Sequence, residues 1–297
     1  MPKRARSSNE TAASSARAYG TDEYWIGRYD RRSSAGANDD ETDEWLLGAE
    51  QLGPLLKQSL PRDAACIDIG CGTSTLVFDL LRDTLRGDAS RALAVDIAPA
   101  ALEALAVEQR ARVRRGETSA RRASLLCADL TKPPTDEWLA ACGGGLDVTF
   151  DKSTTDGMMC DTRRGAGRVR AMYEAIGAVL RPAAVVVVVS WRAPEDGLEW
   201  LVDAVLGGLR QREQAVEAKR EDALGEGSVE RSNWRLDIHS MMAAEDDVDG
   251  AEAAADEAAE PPHVYILTKR PKRALRRARA AAEAEESVTV RQHWHEH

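Results

Sequence analysis

The stretch AACIDIGCGTS, residues 64–74, joins a short apolar run to a turn with two glycines. The run has the length and composition of a buried β-strand, and apolar residues at helical spacing follow over residues 75–85. This order of strand, glycine turn and helix predicts the first unit of an α/β fold. A glycine turn can simply serve strand-to-helix packing, but it also lets a ligand approach the helix, so Asp68, Gly70 and Gly72 are candidate ligand-binding residues.

Four further apolar runs predict strands, at residues 92–95, 125–127, 146–150 and 185–189. An aspartate stands at or just beyond the end of three of them: Asp96, Asp129 and Asp151. The fourth run is an unbroken series of valines, which is typical of a parallel strand buried on both faces. Ligands of doubly wound sheets bind beyond the carboxyl ends of the strands, so the three aspartates are candidate site residues.

Two strand-like runs near the C-terminus, 233–240 and 264–269, have no helix between them and are predicted to pair as an antiparallel hairpin. The fold class is therefore α/β, a Rossmann-like, doubly wound, mostly parallel seven-stranded sheet with a C-terminal antiparallel hairpin. Composition predicts three parts: a disordered tail at 1–18, a domain at 19–270 with an acidic disordered insertion at about 243–262, and a basic, charged tail at 271–297.

Composition excludes several classes of protein. The 297 residues carry a formal charge of -10, which argues against a nucleic-acid partner. The five cysteines include no C-x-x-C pair, so no disulfide framework and no metal site is predicted. The longest apolar run, 183–189, is too short to cross a bilayer, and the chain is expected to be soluble.

Asp96 makes the glycine turn more specific. An acidic residue at the end of the second strand, about twenty residues beyond the turn, is placed to accept hydrogen bonds from ribose hydroxyls. Nicotinamide dinucleotides and S-adenosylmethionine both fit that pattern. Thr75 stands where the dinucleotide fingerprint has its third glycine, which disfavours the dinucleotide without excluding it.

With Asp96, Asp129 and the closing hairpin, the DIGCG turn resembles the class I, seven-strand methyltransferases. Three segments are similar to their protein-lysine methyltransferase branch, which includes the enzymes acting on elongation factor 1A and citrate synthase: EYWIGRY at 23–29, GCGTS at 70–74 and DKSTTDG at 151–157. The last is similar to the branch's DKGTLDA signature and departs from it at Ser153, Thr155 and Gly157. The resemblance covers roughly residues 19–270.

The resemblance implies S-adenosylmethionine as the cofactor. It implies a binding site in which the glycine turn with Gly70 lies next to Asp96 and Ile97, which contact the ribose. Asp129 and Leu130 would lie beside the adenine, and Lys152 near the methionine end. The N-terminal segment would contribute Trp25 and Tyr29. Aromatic faces of this kind attract a sulfonium cation.

Methylation of a lysine requires a neutral amine, and a free lysine is protonated at neutral pH. Asp151 and Asp156 are the candidate catalytic carboxylates, and Asp151 is preferred because it ends a central strand. The competing interpretations are an ion pair of Asp151 with Lys152 and a helix N-cap at Asp156.

The sequence thus predicts a S-adenosylmethionine-dependent methyltransferase whose substrate is a lysine of a protein. A small-molecule methyltransferase, a nucleic-acid methyltransferase and a catalytically idle protein-interaction module remain alternatives. The chain is expected to be monomeric and cytoplasmic, with a mitochondrial location as the alternative because the tail is weakly compatible with a transit peptide.

Overall fold

A mostly parallel β-sheet organises the part of the chain that the computed structural model describes, residues 18–34, 46–57, 60–61, 63–211, 234–241, 262–269 and 289–295. Its eight strands are β1 (Ala65–Ile69), β2 (Arg91–Asp96), β3 (Ala123–Cys127), β4 (Leu146–Lys152), β5 (Leu180–Ser190), β6 (Trp234–Met241), β7 (His263–Lys269) and β8 (Thr289–His295). Their order is β3-β2-β1-β4-β5-β7-β6-β8. Strands β1 to β5 are mutually parallel, and β7 pairs antiparallel with both β5 and β6.

Helices cover both faces of the sheet. They are α1 (Asp22–Ser34), α2 (Ala49–Leu56), α3 (Leu76–Asp83), α4 (Pro99–Arg114), α5 (Asp136–Cys142), α6 (Thr154–Met159) and α7 (Gly165–Gly177), with a π-helical segment at Leu201–Leu206 and short 3-10 turns at Thr118–Arg122 and Pro194–Asp196. One apolar core joins α5, α7 and the π-helical segment to the sheet, and a second joins α2, α3 and α4 to its other face. The predicted valine strand supplies both cores, with Val186 and Val188 in the first and Val187 and Val189 in the second.

The predicted fold class is confirmed: the parallel sheet and the antiparallel hairpin of β6 and β7 are both present. The sheet also has an eighth strand, β8, which lies parallel to β6 within the stretch predicted as a charged tail. The predicted N-terminal tail and acidic insertion lie outside the described residues, apart from residues 18 and 262. Among the described helices, none is long and apolar enough to cross a membrane.

The order of the sheet reverses between β1 and β4, which is where a doubly wound fold opens a crevice at its carboxyl edge. The glycine turn follows β1 at this edge, and Asp96, Lys152 and Ser190 are the last residues of β2, β4 and β5. Helix α1 packs on the start of α4 at the same edge of the sheet, where Tyr29 contacts Ala98 and Ala101. The fold therefore gathers parts of the chain that are far apart in sequence.

Candidate functional site

A cavity of about 300 Å³ opens at this carboxyl edge. All ten residues predicted to bind a cofactor line it: Trp25, Tyr29, Asp68, Gly70, Gly72, Asp96, Ile97, Asp129, Leu130 and Lys152. Of the two predicted catalytic carboxylates, Asp156 lines the cavity and Asp151 is not among the lining residues. The structure thus brings eleven of the twelve predicted residues to one place.

The glycine turn has the left-handed backbone that its sequence suggests. Gly70 and Gly72 have φ angles of +63° and +53°, values that non-glycine residues rarely adopt. A Cβ atom at Gly70 would collide with the hydroxyl of Thr154, and one at Gly72 with the hydroxyl of Tyr29. The two glycines therefore allow helices α6 and α1 to close on the turn.

Asp96 is held at the end of β2 by two backbone amides. Its Oδ2 accepts a hydrogen bond from the Gly72 N–H and its Oδ1 one from the Ala98 N–H, each at 2.8 Å. Burial raises the pKa of Asp96, and these hydrogen bonds oppose the rise. Each carboxylate oxygen keeps a second lone pair, so the side chain can still accept hydrogen bonds from ligand hydroxyl groups.

Asp68 is a buried carboxyl with spare acceptor capacity. Only 1% of its surface is exposed, and its Oδ2 atom has no hydrogen-bond partner among the described residues. Burial, reinforced by the nearby Asp151 and Asp96, holds the pKa of Asp68 well above its ordinary value. Because Asp68 also lines the cavity, this oxygen is available to a hydrogen-bonding group of a bound ligand.

Lys152 also lies in the wall of the cavity, and it is 8% exposed. Its Nζ donates a hydrogen bond to the Ser74 hydroxyl at 3.1 Å. Burial lowers the pKa of this lysine to about 7, so near neutral pH the side chain is only partly protonated, and a nearby anionic group would favour its charged form.

The two predicted catalytic carboxylates have different surroundings. Asp151 is fully buried and accepts hydrogen bonds from the Thr155 N–H, the Thr155 hydroxyl and the Tyr173 hydroxyl. Burial raises the pKa of Asp151 to about 6. These contacts tie β4 to α6 and α7, so Asp151 belongs to the wall behind the cavity. Asp156 rather than Asp151 thus lines the cavity, and the catalytic role of either carboxylate stays a prediction.

Asp156 lies in the first turn of α6, and its carboxylate accepts hydrogen bonds from the last residue of β5 and from the residue that follows it. Its Oδ1 accepts a hydrogen bond from the Ser190 hydroxyl at 2.7 Å and its Oδ2 one from the Trp191 N–H at 3.1 Å. The guanidinium of Arg192 lies 3.5 Å from Oδ1. Burial raises the pKa of Asp156 despite these contacts. The alternative of an N-cap role does not apply, because Ser153 occupies the N-cap position of α6.

The N-terminal aromatic cluster forms one side of the cavity. The rings of Trp25 and Tyr29 stack with centroids 6.5 Å apart, and the Trp25 indole donates a hydrogen bond to the Tyr19 carbonyl at 2.8 Å. Arg168 of α7 donates to the Gly20 carbonyl at 2.6 Å and forms an ion pair with Asp22. Arg168 thereby fastens residues 19–22 over the cavity.

Sequence patterns did not single out Arg168 and Trp191, which line the cavity, or Ser190, which holds Asp156. Ser190 and Trp191 could have been found by the rule that identified the aspartates, since they end and follow a predicted central strand. Arg168 gave no local signal, because its partners lie in a segment almost 150 residues earlier.

The cavity is acidic overall. Five carboxyl groups line it, those of Asp22, Asp68, Asp96, Asp129 and Asp156, against two basic side chains, those of Lys152 and Arg168. Within the described residues no group of three His, Cys, Asp or Glu side chains is arranged to hold a metal ion. The arrangement suits an organic ligand that carries hydroxyl groups and positive charge.

No protein-family profile and no curated protein matches the chain. Among solved structures, it is similar to an N-methyltransferase from Bradyrhizobium japonicum in complex with S-adenosyl-L-homocysteine, with 16% identity over 84% of this chain and 99% of that one and a TM-score of 0.44. It is also similar to precorrin-6y C5,15-methyltransferase from Geobacter metallireducens, with 15% identity over 79% and 96% of the two chains and a TM-score of 0.44. With TM-scores below 0.5, these likenesses leave the activity of this chain open.

Proposed function

We propose that this chain is a S-adenosylmethionine-dependent methyltransferase and that its methyl acceptor is a lysine side chain of a protein. The observation that carries the proposal is Asp96, a buried carboxylate fixed by the glycine turn at the end of β2 and open to ligand hydroxyls. The sequence resemblance to class I methyltransferases agrees with it.

The residues present fit this cofactor. Asp96 would hold the ribose hydroxyls, and Ile97, Asp129 and Leu130 would surround the adenine. The unpartnered Oδ2 of Asp68 would accept a hydrogen bond from the amino group of the methionine part, and Lys152 would face its carboxylate. The stacked rings of Trp25 and Tyr29 would attract the sulfonium.

When bound, S-adenosylmethionine would supply an electrophilic methyl group on sulfur, which a neutral amine nitrogen would take up while the sulfur kept the bonding electrons and left as a thioether. The contribution of the chain is then to orient the amine and to remove its proton. Asp156 is the candidate for both tasks, since it lies in the cavity wall and has a raised pKa. Asp151 would act as a positioning residue, because its hydrogen bonds fix the start of α6, which carries Asp156.

The choice of lysine as acceptor is supported by the charge of the cavity and by the similarity of DKSTTDG to the DKGTLDA signature. An acidic cavity attracts a protonated amine and repels the phosphates of a nucleic acid. This observation disfavours the nucleic-acid alternative. A small cationic metabolite would meet the same charge, and it is the second candidate.

Calorimetric titration with S-adenosylmethionine tests the proposal. We expect the full chain to bind it, and we expect Asp96→Asn to weaken binding about ten- to a hundredfold, the effect of losing hydrogen bonds to a charged group. The matched control is Asp88→Asn, which changes an exposed carboxyl that does not line the cavity. Thermal unfolding of each variant checks that it is folded at the assay temperature. Absence of binding to the wild-type chain, or equal binding by Asp96→Asn, would contradict the proposal.

A further inference from the structure

We infer that the indole of Trp191, together with the carboxylate of Asp156, forms the binding platform for the cationic side chain of the methyl acceptor. This inference rests on the proposed function and deepens it, since it assigns the residue that recognises the acceptor rather than the cofactor. No sequence motif used above includes Trp191.

The exposure of Trp191 is unusual for its position. It directly follows Ser190, the fully buried last residue of β5, yet 41% of its own surface is exposed. Four large apolar side chains of the described residues are 37% exposed or more: Val107, Leu139, Trp191 and Val202. Of these four, Trp191 alone lines the cavity.

The backbone that carries Trp191 is fixed on both sides. Before it, the Ser190 hydroxyl donates to Asp156 Oδ1. After it, the carbonyl of Arg192 accepts a hydrogen bond from the Tyr265 hydroxyl, and the guanidinium of Arg192 lies 5.9 Å from the ring centre of Trp200. The backbone that carries the exposed ring is therefore fixed by its neighbours in the chain, which limits the positions that the indole can reach.

Trp191 is also coupled directly to the proposed catalytic carboxylate. Its own backbone N–H donates to Asp156 Oδ2 at 3.1 Å. That oxygen retains acceptor capacity for a ligand N–H, whereas Oδ1 is already bonded by Ser190 and approached by Arg192. An acceptor nitrogen that reaches Oδ2 thus arrives next to the residue that bears the indole.

An indole and a carboxylate that line the same cavity can together recognise a primary ammonium on an alkyl stem. The carboxylate attracts the charge, and the indole attracts the cation and covers the methylene groups. The lysine side chain has this chemistry, and the excess of acidic over basic groups in the cavity wall reinforces the preference. A neutral side chain of the same length would gain only the apolar contact.

Ligand-observed NMR on the full chain, saturated with S-adenosyl-L-homocysteine, tests the inference with two probes. These are Nα-acetyl-lysine amide and its uncharged counterpart, Nα-acetyl-norleucine amide. The variants are Trp191→Ala and Trp191→Phe, and the matched control is Leu139→Ala, which removes an exposed apolar side chain from α5 that does not line the cavity.

We expect wild type to bind the lysine amide more tightly than the norleucine amide. Trp191→Ala should weaken binding of the lysine amide about three- to tenfold, while Trp191→Phe, which keeps an aromatic face, and Leu139→Ala should change it less than about twofold. Affinity for S-adenosyl-L-homocysteine should be the same in all four proteins.

Three results would overturn the inference: unchanged lysine-amide affinity in Trp191→Ala, an equal loss for both probes, or no binding of the lysine amide to wild type. A loss of S-adenosyl-L-homocysteine affinity in Trp191→Ala would also overturn it, because it would make the residue part of the cofactor site. Failure of wild type to bind S-adenosyl-L-homocysteine would instead contradict the proposed function, and titration of the lysine amide into the unsaturated chain would then test Trp191 separately.

Discussion

Replacing Asp151 separates a structural role from a catalytic one. The side chain is fully buried and accepts three hydrogen bonds from Thr155 and Tyr173. In Asp151→Ala three donors lose their acceptor, which costs about 3–5 kcal/mol of unfolding free energy. In Asp151→Asn the carbonyl can accept from the Thr155 N–H and the amide can donate to the two hydroxyl oxygens, so the loss should be about 1 kcal/mol.

The pH dependence of the unfolding free energy gives a second, independent measure of the role of Asp151. Burial raises the pKa of Asp151 to about 6, above the reference value of about 3.9 for the unfolded chain. Because the pKa of Asp151 is higher in the folded chain, the folded chain holds the proton more tightly than the unfolded chain does. The resulting stability is fully present at pH values below the pKa of the unfolded chain, and it is lost as the pH rises through the pKa of the folded chain. The two pKa values give a loss on the order of 1 kcal/mol in the wild-type chain between about pH 5 and about pH 7.5. Asp151→Asn lacks this titration.

Urea unfolding of wild type and Asp151→Asn across this pH range measures the difference directly. The unfolding free energy of the variant should rise by about 1 kcal/mol relative to that of wild type from about pH 5 to about pH 7.5. Methyl transfer by the variant should stay within about threefold of wild type, because the amide preserves the contacts that hold α6. A free-energy difference that does not change with pH, or a folded variant that binds cofactor but transfers no methyl group, would refute this reasoning.

Three further predictions concern the cavity and its surroundings. Asp156→Asn should reduce the rate of transfer at saturating substrate about a hundredfold or more, with S-adenosylmethionine affinity within about twofold in calorimetry; an unchanged rate would remove Asp156 from the mechanism. Arg168→Ala should raise the dissociation rate of S-adenosylmethionine about threefold to tenfold in stopped-flow measurements, because two contacts to residues 19–22 are lost, and an unchanged rate would contradict a fastening role. Ser153→Gly should stabilise the fold by about 1 kcal/mol in urea unfolding, since Ser153 has a φ of +64° and a buried hydroxyl that has no hydrogen-bond partner among the described residues; a loss of stability would contradict this account.

The fold was predictable from the sequence because its signals are local. A glycine turn after β1, aspartates at strand ends and a valine run in β5 each depend on a few adjacent residues. Strand β8 was not predicted, since its pairing with β6 depends on a partner that is about fifty residues away in sequence. The helical form of residues 22–34 was also missed, because the cluster of aromatic residues there has no clear apolar period.

The candidate site was predictable to the extent that strand ends define it. Which of two neighbouring carboxylates enters the cavity depends on partners elsewhere in the chain: Tyr173 turns Asp151 into the core, and Ser190 fixes Asp156 in the cavity wall. No pattern around residues 151–156 contains that information. Long-range hydrogen bonds of this kind become visible only when the tertiary structure is known.

The most direct test of the central claim is methyl transfer by the full chain. The chain is incubated with methyl-labelled S-adenosylmethionine and a cell extract, beside an Asp96→Asn control, and the labelled proteins are hydrolysed to amino acids. The account predicts label in methylated lysine from a discrete protein band, and its loss in the control. Label confined to nucleic acid or to small molecules, or equal labelling by the control, would contradict it.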